Sequence, residues 1–164
     1  MMPLIWLLIP LVAVFVLTAL VARRMLVVVT VHGRSMEPAY HDGDRVLVRR
    51  TRKLVVGQVT VVEHPHDHNA WSDSRRPPLS GGEPVSSRKW LIKRVAATPG
   101  DPVPRDRVPR LADVPHGRVP LGKVVLLGDN TEVSYDSRSM GFIPVERILG
   151  VVVRQLDMTA SATI

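Results

Sequence analysis

WLIKRVA, residues 90–96, decides the reading of this chain. It is an apolar run broken by one cationic pair, and Pro99-Gly100-Asp101 closes it with a turn signal. That pattern predicts a β-strand. Alternate residues of a strand share a face, so Lys93 lies with Leu91 and Val95 while Arg94 turns the other way. On an apolar face the ammonium form of lysine is disfavoured by desolvation. Lowering such a pKa from about 10.4 to near 7–8 takes roughly 3–5 kcal/mol. The ordinary alternative is a lysine that snorkels its head to water. The local sequence leaves both readings open.

On either side of this strand, further short β-branched runs predict strands at Leu26–Val31, Arg45–Val48, Val55–Glu63, Val124–Leu127 and Ile148–Arg154. Turns at Asp42-Gly43-Asp44 and Gly128-Asp129-Asn130 separate them. Past the first 24 residues no segment holds a helical period. The expected fold is mainly β, an antiparallel folded or barrel-like sheet. Residues 64–89 are rich in Pro, Ser, Gly and charge and predict a mobile loop. Residues 101–122 hold five prolines and predict a small irregular excursion. There is no internal repeat.

Residues 1–24 read differently. Met1 to Ala22 carries no charged side chain, and Pro3–Ala22 is long enough to cross a bilayer core as one helix. Pro10 is tolerated in such a helix. A cleaved signal peptide would need a basic n-region and a shorter apolar core, so a permanent anchor is the expectation. Residues 25–164 then form one domain. Arg23 and Arg24 favour a cytoplasmic side for that domain, although large domains cross despite the bias.

A net charge of +7 points to an anionic partner. Beside an anchor, membrane lipid is the economical choice. The scattered basic residues and few aromatics make no stacking platform, so nucleic acid is not expected. The chain has no cysteine, which excludes disulfides and thiolate metal sites.

Ser35, within VHGRSMEPAYHDGD (31–44), is a turn serine or a nucleophile. A nucleophile needs a base. Six histidines are present, and none sits in a G-x-S-x-G elbow. His64, His66 and His68 have H-x-H spacing, but no third ligand block follows; no metal and no cofactor is expected. Arginine stays protonated. Of the four lysines, Lys53 lies in a charged turn, Lys123 beside a turn glycine, and Lys89 in an isolated S-x-x-K without its companion motifs. Lys93 alone interrupts an apolar strand. A third block, residues 128–141, is a polar loop whose hydroxyls could orient an amine and whose Asp/Arg pair could brace it.

These blocks, in this order, resemble the signal peptidase I family, membrane-bound S26-type serine proteases with a Ser/Lys dyad. The matching strings are Ser35-Met36-Glu37-Pro38, Lys93-Arg94-Val95 with Pro99-Gly100-Asp101, and Gly128-Asp129-Asn130 with Ser134-Tyr135-Asp136-Ser137-Arg138 and Gly141. The resemblance spans nearly the whole chain. It implies that Ser35 attacks the scissile carbonyl and neutral Lys93 takes its proton. Ser134 would hydrogen-bond the Lys93 amine, and Asp136 and Arg138 would pair to support the loop. The Ser35 N–H would donate to the oxyanion. Many relatives add a hydroxyl two positions earlier; here that position is Gly33, which leaves a water or another group to serve. The implied partners are exported preproteins, cut after small residues (A-x-A) by an extracytoplasmic domain on a single-pass anchor in the cell membrane. Val29, Val31, Met36, Leu91 and Ile92 flank the dyad as expected pocket walls. Two other readings are a LexA-like self-cleaving protein, which would need a DNA-binding helix-turn-helix, and an inactive membrane-anchored binding protein on the same scaffold.

Overall fold

Alternation of buried and exposed residues, set by the β-branched runs, produces one antiparallel sheet. The computed structural model describes residues 3–65, 85–115 and 117–156. A helix, α1 (Pro3–Met25), leads without a break into β1 (Leu26–Thr30). Then follow β2 (Arg45–Arg49), β3 (Val59–Glu63), β4 (Trp90–Ala97), β5 (Lys123–Leu127), the one-turn helix α2 (Ser137–Met140), β6 (Ile143–Pro144) and β7 (Ile148–Leu156). The spatial order is β1-β2-β7-β3-β4-β5-β6, every pairing antiparallel.

Register shifts interrupt three pairings, at Leu47/Val48, Val61/Val62 and Val95/Ala97. Such bulges sharpen local bending and twist. The sheet curls until β1 and β4, which are not neighbours in the order, wall one groove. Curling covers both faces of the central strand β3, where all five residues are buried. Val59, Val61 and Ile92 pack with Val31, Met36 and Val46 in one core. Val62 and Val95 pack with Leu126 and Met140 in a second, against which Leu91 also lies. Leu91 and Val95 thus share one face of β4 and Ile92 takes the other, as alternation requires.

Two expectations shift. The strand foreseen from Val55 begins at Val59. Gly57 at φ 90° and the Gln58 side chain, which accepts from the Val55 N–H, make residues 55–58 a turn. Residues 101–122 are less irregular than their prolines suggest. Pro102 bridges Arg118, and Val103, Val108, Leu111 and Val119 build a third core against Ala97 and Val125. Most of the expected mobile loop, residues 66–84 with His66 and His68, lies outside the described residues.

Among the described residues no helix is long and apolar enough to cross a membrane. In α1 the side chains at 3–8, 19, 21 and 22 lie outside the described set.

Candidate active site

Ser35 stands in the loop between β1 and β2, which its own polar residues close. Asp42 Oδ1 accepts from the Gly33 N–H at 2.7 Å, and Asp44 Oδ2 accepts from the His41 N–H at 2.8 Å. Met36, fully buried in the first core, pins the turn next to Ser35. The Asn130 N–H donates to the Ser35 carbonyl at 3.0 Å and fastens the loop to the end of β5. Among the described residues the Ser35 N–H has no acceptor.

Lys93 arrives from β4, opposite Thr60 of β3. Only 1% of it is exposed, and its Nζ lies 2.6 Å from Ser35 Oγ across 58 residues of sequence. Burial lowers its pKa from the ordinary 10.5 to about 8; Asp136 pulls it back up, and Arg138 adds to the lowering. Near pH 8 half of this amine is therefore neutral and able to accept a proton. Lys93 takes the buried alternative of its two sequence readings: its head meets the Ser35 hydroxyl rather than reaching out to water.

Asp136, wholly buried, is the hub of the adjoining loop. Its Oδ2 accepts from the Gly128 N–H (2.8 Å), Ser134 Oγ (2.6 Å) and Arg138 Nη2 (2.6 Å). Its Oδ1 accepts from the Arg138 N–H and Nε. Burial alone would raise its pKa, but these bonds outweigh it and hold the carboxylate below its usual range. Asp136 and Arg138, the pair that the resemblance implies, lie in contact. No hydrogen bond joins Ser134 to Lys93; the Ser134 hydroxyl donates to the Asp136 carboxylate.

Gly33 has φ +83°, a conformation that L side chains rarely adopt, so a side chain there would be strained although the space around it is open. Three residues named in the sequence only as a turn and a motif string take part in the site. Gly128 has no room for a side chain: a Cβ there would lie 2.1 Å from Ser134 Oγ and 2.6 Å from the Ser35 carbonyl oxygen. Asn130 acts through its backbone, which leaves no mark on residue type. Asp129 grips Arg94 bidentately (2.8 and 2.6 Å), fastening the other face of β4 to the loop. The G-D-N string was the available signal for all three.

Among the described residues, β1 is bonded only on its β2 side, and residues 90–93 of β4 only on their β3 side. These two free edges flank a groove of about 790 Å³, walled by Val28 and Val29 on one side and Trp90 and Leu91 on the other. A narrower cleft continues between Val31 and Ile92. Of the expected pocket walls, Val29, Val31, Leu91 and Ile92 line these openings. Met36 lies beneath them as core. Among the described residues no cluster of His, Asp and Glu could hold a metal.

A serine hydroxyl bonded to a buried amine of lowered pKa is an arrangement in which a lysine could serve as the base that a histidine commonly supplies. The signature of the family "Signal peptidase, peptidase S26" matches residues 4–109 and 104–156. Similar proteins include Signal peptidase IB of Staphylococcus aureus, 28% identical over 176 residues, covering 84% of this chain and 81% of that one. Another is the Probable signal peptidase I-1 of Synechocystis sp., 32% identical over 132 residues, covering 71% of this chain and 63% of that one. The chain belongs to the signal peptidase family, peptidase S26. It is a serine peptidase whose substrates are preproteins bearing signal peptides.

Proposed function

We propose that the chain is a single-pass membrane enzyme that cuts signal peptides after small residues, with Ser35 as nucleophile and Lys93 as general base. The observation that carries this reading is the 2.6 Å contact between Lys93 Nζ and Ser35 Oγ at a buried position. An extended substrate adds as a strand between the free edges of β1 and β4. The tight packing of Val31 and Ile92 next to this groove suits small side chains in the substrate. Neutral Lys93 accepts the Ser35 proton as Oγ attacks the carbonyl, and the oxyanion takes the open Ser35 N–H. The Lys93 ammonium then protonates the leaving amine. A water, deprotonated by the same lysine, hydrolyses the acyl-enzyme. Asp136 and Arg138 hold the loop that positions Ser35, and Ser134 acts through Asp136.

The anchor rests on the charge-free stretch Pro3–Ala22, about 30 Å long as a helix. The described side chains of α1 support it: Leu11 and Phe15 are 65% and 73% exposed, an apolar surface that lipid would cover. Thr18, the polar exception, turns its hydroxyl onto the carbonyls of Val14 and Phe15. The substrate places the catalytic domain outside the cytoplasm, against the bias of Arg23 and Arg24.

The test is cleavage of preproteins with A-x-A sites by the purified full chain. Ser35→Ala should abolish cleavage with the fold intact, and retained turnover would remove Ser35 from the mechanism. Protease added to spheroplasts should digest the domain; full protection until lysis would reverse the topology.

A further inference from the structure

Among the described residues, seven positively charged side chains between Arg23 and Lys53 have no carboxylate partner: Arg23, Arg24, Arg45, Arg49, Arg50, Arg52 and Lys53. Between Asp44 and Glu63 the sequence holds no acidic residue. The fold brings the part of this basic stretch around Arg50 to the end of α1. The Arg50 N–H donates to the Met25 carbonyl at 2.7 Å, which ties the loop after β2 to the foot of α1, where Arg23 and Arg24 stand. Gly150 of β7 lets this loop lie close: a Cβ there would fall 2.2 Å from the Arg49 carbonyl oxygen. Against β7 the loop opens a cleft of about 240 Å³, lined by Arg50, Thr51 and Arg52 and floored by Ile148 and Leu149. Farther along the same loop Val55 and Val56 are 61% and 52% exposed.

Guanidinium groups around a hydroxyl suit a phosphate, which Arg binds bidentately. Exposed valines beside them suit the acyl boundary under that phosphate. The position at the foot of α1 selects the source. A helix ending at the bilayer surface brings its own foot, and whatever is bonded to that foot, to headgroup level. We propose that the Arg50–Thr51–Arg52 cleft binds the phosphate of an anionic phospholipid, with Val55 and Val56 dipping into the interface. This docks the catalytic domain on the membrane that holds α1. The inference rests on the anchor reading and adds to it a site outside the dyad.

Because the chain has no cysteine, a single one can be labelled cleanly. Full-length Val56→Cys carrying an environment-sensitive fluorophore is reconstituted in vesicles of phosphatidylcholine alone or with phosphatidylglycerol. Emission should shift to the blue in anionic vesicles only, and the shift should fade as salt is raised. Each surface charge is worth about fivefold in the docked-to-undocked ratio, so Arg50→Gln/Arg52→Gln/Lys53→Gln should lower it by about a hundredfold. Arg50→Lys/Arg52→Lys should keep most of the shift. Equal emission in both vesicles, or a shift that survives the triple Gln change, would overturn the proposal. The same shift in detergent on adding inorganic phosphate would overturn the lipid assignment in favour of a free anion. A label at Val14→Cys separates the two readings. Hydrocarbon-like emission there with an unresponsive Val56 label refutes the lipid site and leaves the anchor standing. Aqueous emission at Val14 refutes the anchor, and the lipid site with it.

Discussion

Changing the charge of Lys93 perturbs both catalysis and stability, and the structure sets the size of each effect. With a pKa of about 8, Lys93 is about 9% neutral at pH 7, against roughly 0.03% for an unshifted lysine. Burial thus raises the active fraction about 300-fold at pH 7. The quantity kcat/KM on a soluble A-x-A peptide should climb about tenfold per pH unit below 8 and level off near pH 9. Lys93→Arg keeps the charge but cannot deprotonate, so it should be as inactive as Lys93→Ala. The stability effect has the opposite sense to that of a salt-bridged lysine. The folded pKa is depressed, so below about pH 8 the folded state carries the full cost of a buried ammonium, about 3 kcal/mol. That cost fades as pH rises from about 8 to 10.5, where the unfolded chain also loses its proton. Lys93→Met, similar in volume and uncharged, should therefore be more stable than the parent at pH 7, with the difference gone above about pH 10.5. Denaturant melts across pH measure this. An ascending limb centred near pH 10, an active Lys93→Arg enzyme, or a Met variant with no pH-dependent gain would each refute the desolvated-base argument.

Two further predictions concern the supporting loop. Gly128→Ala forces a methyl group onto the Ser35 carbonyl and the Ser134 hydroxyl, and the backbone cannot yield as a side-chain tip would. Ser35 should move relative to Lys93, and kcat should fall about a hundredfold with KM less affected. Asp136→Asn leaves Arg138 without its carboxylate and should cost about 3 kcal/mol at pH 7. The folded pKa of Asp136 is depressed, so its contribution is present above the ordinary value of 3.8 and is lost as pH falls through the folded one. Denaturant melts should show the gap between parent and Asp136→Asn closing below about pH 4. Ser134→Ala should impair activity less than either change, since four other donors still hold Asp136.

The strands were legible because their signal is local. In residues 90–96 the period of two, the flanking turn and the single lysine suffice to place Lys93 on the Leu91–Val95 face. The order of the three motif blocks was likewise enough to bring Ser35, Lys93, Asp136 and Arg138 forward as candidates. Boundaries failed where a backbone angle overruled a propensity, as at Val55–Gln58, where Gly57 at φ 90° turns a valine-rich run into a loop. The two-residue strand β6 and the single turn of α2 are too short to carry any period.

What the sequence by itself determined is which side chains lie on which face of each strand, and which few of them have chemistry to offer. Only the tertiary structure decided that Lys93 is buried against Ser35, that Ser134 serves Asp136, that Met36 is core, and that Gly128 must be bare. Each of these depends on groups far apart in the chain meeting as the sheet curls. Desolvation, hydrogen-bond choice and the space left for a Cβ belong to the assembled packing. No window of sequence contains them.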